Sequence, residues 1–165
     1  MFFPLAIYLI FIDQVTLFKW LMFISPWQLS LLAKSDHWYV DGTFFAVPRG
    51  FYQLINISIY DTLSNLHIPL FWALTTHKNY DMYIHLFWDL AKLLPVSKKL
   101  RITVDFETKL MEALKFIFDC EICGCLFHFS KSLQRKAQKL GLLSSETKEE
   151  TSELIYKLKG LCFKK

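Results

Sequence analysis

The sequence predicts a mixed α/β fold, in which a three-stranded antiparallel meander gives way to alternating helices and strands. Three observations predict it. Between His37 and Thr76, three runs rich in β-branched and aromatic residues are separated by short polar turns. From Tyr83 onward the apolar period changes to that of a helix. Two aspartates, Asp41 and Asp105, each stand at or near the end of an apolar, β-branched run, in Tyr39-Val40-Asp41-Gly42-Thr43-Phe44 and Ile102-Thr103-Val104-Asp105-Phe106-Glu107. A carboxylate there is costly to bury without a charge partner. Two in like contexts suggest one site where strands run side by side, and hard divalent cations are the usual partner for converging carboxylates. The plainer reading makes Asp41 open a turn with Gly42 and Asp105 cap the helix that follows.

A chain of 165 residues suits one domain with a real core. Hydrophobic content of 53%, with 16 Phe, excludes a disordered chain and favours strands and a heavy core. The net charge of +4 allows a polyanionic partner without demanding one. Of the cysteines, Cys120, Cys123 and Cys125 crowd together while Cys162 stands apart. That spacing suits neither a disulfide framework nor a secreted domain and points to a reducing compartment.

Met1 to Ile24 is apolar apart from Pro4, Asp13, Gln14, Thr16 and Lys19. Asp13 and Lys19 argue against a membrane span, since each would cost roughly 2.5–3.5 kcal/mol near a bilayer centre. No basic region precedes the run, as a signal peptide would require. An apolar helical segment over residues 1–29 is the expectation, with membrane association as the alternative.

Pro26 to Lys34 reads as a short helix with Leu29, Leu32 and Ala33 on one side. His37 to Val47 reads as a strand ended by the turn signal Pro48-Arg49-Gly50. Phe51 to Tyr60 and His67 to Thr76 complete the meander, joined by a polar turn from Asp61 to Asn65. Tyr83, Leu86, Phe87, Leu90 and Leu94 then mark one face of a helix, with Asn79 as N-cap and Pro95 as stop. Leu100 to Val104 is the next strand, and Leu110, Leu114 and Ile117 line the helix after it. Cys120 to Phe127 suits a short strand, and Phe129 to Leu140 a helix closed by Gly141. Along that helix Lys131, Arg135 and Lys139 form a basic stripe, a set of candidate DNA contacts beside the plainer reading of a solvated face. Thr147 and Glu150 make a capping-box pattern for a final helix ending near Gly160. From His37 the order is β-β-β-α-β-α-β-α, the layout of the ribonuclease H-like fold, in which the strands bearing Asp41 and Asp105 are neighbours.

At this point a family likeness emerges. His37-Trp38-Tyr39-Val40-Asp41-Gly42-Thr43-Phe44, then Val47-Pro48 and Phe51-Tyr52-Gln53-Leu54, resembles the opening of the Mutator-like element (MULE) transposase domain. Pro69-Leu70 to Ala73-Leu74, Lys78, Tyr83, Leu86-Phe87, Thr103-x-Asp105-Phe106-Glu107 and Gly124-Cys125-Leu126-Phe127-His128-Phe129 continue it. The resemblance covers residues 30–142, with 143–165 as a C-terminal helix and tail. It implies a DDE-type transposase that cuts DNA and joins the free end to a new site, using Mg²⁺ or Mn²⁺. Asp41 and Asp105 would be its first and second catalytic, metal-binding carboxylates. It further implies transposon-end and target DNA as partners, a homo-oligomer in an active relative, and a nuclear location.

The departure from the family is its third acid, a Glu on a helix well downstream. Glu146, Glu149, Glu150 and Glu153 are available but stand in a solvated-looking helix start, so the expectation is a chain ending before that acid and feeble in activity. Cys125-x-x-His128 matches the family's Cys/His element. Cys123-x-Cys125-x-x-His128 is too compact for a usual zinc site and lacks an evident fourth ligand, so a packing or orienting role is favoured. Glu107 reads first as a first-turn helix acid, and His67, His77 and His85 carry no assignment. The alternatives to a transposase are a non-catalytic, DNA-associated or protein-interaction relative of the same fold, and a membrane-tethered protein.

Overall fold

A computed structural model of the chain describes residues 7–12, 18–45, 47–94, 99–144 and 147–160, the first of these segments in backbone alone. Pro95, Glu146 and Cys162 lie outside the described residues. The chain forms two compact units, Met1–Cys123 and Gly124–Lys165.

The first unit is built on a mixed sheet. Its strands are β1 (Ile7–Ile12), β2 (Lys19–Ile24), β3 (His37–Thr43), β4 (Gln53–Asp61), β5 (Leu66–Thr75), β6 (Arg101–Val104) and β7 (Glu121–Gly124), in spatial order β1-β2-β5-β4-β3-β6-β7. The β1–β2, β2–β5, β5–β4 and β4–β3 pairs are antiparallel, whereas β3 and β6 are parallel. At the β7 edge the Glu121 N–H donates to the Leu100 carbonyl at 2.9 Å. Helices α1 (Pro26–Lys34), α2 (Tyr80–Leu93) and α3 (Thr108–Phe118) complete the unit.

Among the described residues before Pro26 the apolar N-terminal segment is not helical; it forms β1 and β2 and extends the sheet beyond β5. The physical reason is a period-two alternation: Trp20, Met22 and Ile24 are buried, while Lys19, Leu21 and Phe23 are more exposed. No helix among the described residues is long and apolar enough to cross a membrane.

Local signals explain the other elements. Ser25 caps α1 with a complete capping box, its hydroxyl accepting from the Gln28 N–H while the Gln28 side chain accepts from the Ser25 N–H. Asn79 caps α2 by accepting from the Met82 N–H at 2.9 Å. The buried positions of α2 are Met82, Tyr83, Leu86, Phe87 and Leu90, one helical face. Pro48-Arg49-Gly50 forms the expected turn, in which Gly50 takes φ 98°, a left-handed value that disfavours side chains. Trp38 anchors the core: its indole N–H donates to the Leu32 carbonyl of α1 at 3.1 Å, and its ring meets Phe118 of α3 edge-on. Val40, Ile55, Ile57, Ile102 and Val104 are buried in the same cluster.

The second unit contains α4 (Leu126–Lys139) and α5 (Lys148–Gly160). Gly141, at φ 73°, follows the end of α4 as a C′ glycine should. Thr147 does precede α5, and its hydroxyl donates to the Leu142 carbonyl at 2.8 Å.

Candidate functional site

The register of β3 and β6 decides how the two aspartates stand to each other. The strands pair in parallel as His37↔Arg101, Trp38↔Ile102, Tyr39↔Thr103 and Val40↔Val104. Asp41 is the next residue of β3 and Asp105 directly follows the end of β6, so they leave the pairing side by side at its carboxyl end. Adjacent strands lie about 4.8 Å apart, and residues at matching positions share a face. That face is the polar one. Tyr39, Asn56, Ser58, Thr103 and Asp105 are half-buried and Asp41 is exposed, while Trp38, Val40, Ile102 and Val104 fill the core behind them.

Neither plain reading of the aspartates fits this placement. Asp41 and Gly42 do not open a turn; they lie within β3, opposite Asn56 and Ile55 of β4. Asp105 does not cap α3, whose N-cap is Glu107. Asp105 instead accepts from the following Phe106 N–H at 2.6 Å.

Sequence reasoning missed Asn56. Paired with Asp41 across the β3–β4 ladder, it adds a third polar group to the row Asn56–Asp41–Asp105, and its amide donates to the Phe71 carbonyl at 3.3 Å. The available signal was one Asn in the interior of the run Leu54-Ile55-Asn56-Ile57, where such a residue is uncommon.

Also missed was a buried network that ties Glu107 down. The Gln53 amide donates to the Tyr83 hydroxyl at 3.0 Å, and that hydroxyl donates to Glu107 Oε1 at 2.7 Å. Lys78 Nζ pairs with Glu107 Oε2 at 2.9 Å and lies 4.8 Å from the centroid of the Phe44 ring. Tyr83 is fully buried and Gln53 nearly so. Burial drives the Tyr83 hydroxyl far above the usual phenol range; the Gln53 bond opposes this and the Glu107 carboxylate adds to it. Glu107 thus spends its carboxylate on a cation and a phenol.

At the opposite end of β3, His37 Nε2 lies 2.9 Å from Thr103 Oγ1, and its ring stacks on Tyr39 with centroids 4.4 Å apart. Burial, helped by the Arg101 charge, lowers the His37 pKa below the usual histidine value. The unassigned histidines make ring contacts: His67 with Tyr39 and Tyr60, His77 with Phe18, His85 with Trp20.

Asp41 and Asp105 are hard oxygen donors of the kind Mg²⁺ and Mn²⁺ take, and Mg²⁺ is commonly held by one or two carboxylates with waters and substrate phosphates. In that sense the pair fits one hard cation. Among the described residues no group of three His, Cys, Asp or Glu side chains is placed to hold a metal ion. In the second unit, Cys125 is the N-cap of α4 without a side-chain capping bond, and half-buried His128 meets the Phe127 ring edge-on at 5.4 Å. Lys131, Arg135 and Lys139 are all exposed on α4, as are Glu149, Glu150 and Glu153 on α5.

No protein-family model matches the chain, and no curated protein matches it.

Proposed function

We propose that the first unit is a ribonuclease H-like nucleic-acid-processing core of the Mutator-like transposase class, with Asp41 and Asp105 as its metal-binding carboxylates. The observation that carries this reading is the parallel β3–β6 register, which ends in the two aspartates inside the strand order β5-β4-β3-β6-β7. The ribonuclease H-like expectation makes the strands bearing Asp41 and Asp105 neighbours, and β3 and β6 are paired. DNA is the proposed partner.

A divalent ion held by Asp41 and Asp105 would supply charge stabilisation for phosphoryl transfer. The chain's own residues prepare the place. Asn56 extends the polar row beside Asp41, and Lys78 with the Gln53–Tyr83–Glu107 chain fixes the segment just after Asp105. Phe44 and Phe106, both about half exposed, follow the two aspartates closely in sequence.

Activity of this chain is expected to be feeble, because positioning a second ion normally needs another anionic ligand. The second reading is a DNA-associated member of the same fold that does not cut. One pair of measurements separates the readings: Mn²⁺ binding followed by electron paramagnetic resonance, and nicking of labelled duplex DNA with Mg²⁺ or Mn²⁺. Binding and nicking both lost in Asp105→Asn support the enzyme. Binding without nicking supports the second reading, and no ion binding at millimolar Mn²⁺ overturns the carboxylate site.

A further inference from the structure

Helices α4 and α5 enclose a groove of about 600 Å³ inside the second unit. Its α4 wall carries Lys131, Gln134, Arg135 and Gln138, one helical face; its α5 wall carries Lys148, Ser152, Tyr156 and Lys159, again one face. Four cations therefore look into one groove, and no carboxylate among the described residues lines it. The acids of α5 point elsewhere: Glu153 pairs with Lys157 at 2.7 Å, outside the lining. Lys139, the third member of the basic stripe, does not line the groove. The stripe thus divides, with Lys131 and Arg135 turned to the groove about one helical turn, roughly 6 Å, apart.

The groove also has aromatic surface that a simple anion site would not need. Tyr156 lines it while 77% exposed; Phe127, one turn before Lys131 and outside the lining, is 66% exposed. Lys131 Nζ stands 5.6 Å from the Phe127 ring centroid. Large exposed rings beside a row of cations and side-chain amides are the elements of a single-strand nucleic-acid platform: cations follow the phosphates, rings stack on unpaired bases, and amides bond base edges. An anionic membrane would use the cations but would not require the amides or a stacking ring.

We propose that the α4–α5 groove binds single-stranded nucleic acid, with Lys131, Arg135, Lys148 and Lys159 on the phosphates and Tyr156 stacked on a base. The site rests on α4 and α5 alone. Its nucleic-acid partner agrees with the function proposed above, but it does not use the aspartate pair.

The test is fluorescence anisotropy of the full chain with a fluorescein-labelled oligothymidylate, over a salt series. Four phosphate contacts to a single strand give a log–log salt slope of about −2.8. Replacing Lys131, Arg135, Lys148 and Lys159 together by Gln should flatten that slope towards zero. Tyr156→Ala should weaken binding about 5- to 150-fold, and Tyr156→Phe, which keeps the ring, should not. All five substituted side chains line an open groove, and circular dichroism checks that each variant stays folded. The anisotropy series is run in EDTA, which keeps divalent ions off the aspartate pair, so failure of the metal site and failure of the groove read out separately. The proposal is overturned by an unchanged slope in the fourfold variant, by full affinity in Tyr156→Ala, by tighter binding to a duplex of the same length, or by tighter binding to phosphatidylserine vesicles than to the oligonucleotide.

Discussion

Replacing Tyr83 by Phe removes one oxygen and nothing else, and the structure says what that oxygen does. It donates to a carboxylate at 2.7 Å and accepts from a buried amide at 3.0 Å. A hydrogen bond to a charged group contributes about 1.5–3 kcal/mol and a neutral one about 0.5–1.5 kcal/mol. Two features pull the sum towards the low end. Glu107 keeps Lys78 as a partner, and its side chain is 20% exposed, so water can replace the phenol. Gln53 pulls the other way, because at 2% exposure its amide is left buried and short of an acceptor. We predict a loss of about 2 kcal/mol. Urea unfolding followed by tryptophan fluorescence suits the measurement, because all five tryptophans lie between Trp20 and Trp88 and report the first unit alone. The denaturant slope should not change. Gln53→Leu alone should cost a similar amount, and the double variant should cost less than the sum by about 1 kcal/mol, since removing both partners strands neither. A Tyr83→Phe effect under about 0.5 kcal/mol, or strict additivity, would refute the network as drawn.

Three further outcomes follow from the same structure. Asp41→Asn and Asp105→Asn should each weaken Mn²⁺ binding at least tenfold, since even indirect contacts to metal ligands are worth about 10- to 100-fold; equal affinity in either variant removes that residue from the site. Burial pushes the Cys120 thiol from 9.0 up to about 11, so its thiolate fraction at pH 8 is about a hundredfold smaller than an ordinary thiol's. Iodoacetamide followed by peptide mapping should leave Cys120 unmodified in the native chain and modify it in urea, whereas rapid native labelling contradicts that burial. His37 is held neutral, its folded pKa lying below its unfolded value of 6.5, so the unfolded chain binds more protons and stability should fall as pH drops through that value. His37→Gln should lessen this fall in urea midpoints measured between pH 7.5 and 5.5, and an identical pH dependence in the variant rules the assignment out.

How much of this was legible depends on how local the signal was. Helix α2 was readable because its burial stripe and its Asn79 cap both belong to one short segment. Strand β2 was not. Its half-buried positions Leu21 and Phe23 are as apolar as its buried ones, so Trp20-Leu21-Met22-Phe23-Ile24 shows no alternation until β5 pairs with it. The Gln53–Tyr83–Glu107 chain was illegible for another reason. Its members are 30 and 24 positions apart and each is an ordinary polar residue alone, so only the fold makes them a unit. The groove lies between these extremes: the α4 stripe was visible as a period of four, but the α5 wall that turns two of its cations inward was not.

The aspartate pair shows why core residues belong in an account of a polar site. A slip of one residue between β3 and β6 would send Asp41 and Asp105 to opposite faces of the sheet. Like charges side by side favour that slip. The resistance comes from the far face, where Trp38 beside Ile102 and Val40 beside Val104 are buried in matched register. Trp38 is further pinned by its indole bond to the Leu32 carbonyl and its ring contact with Phe118. At the other end of the strands, the Arg101 N–H donates to the Asp36 carbonyl at 2.9 Å, and His37 reaches Thr103 across the pair. A slip would have to break all of these and expose one of the largest buried side chains in the core. Residues with no chemistry of their own therefore set the separation of the two that have it, and the Val40↔Val104 pair, one step inside the aspartates, does so most directly.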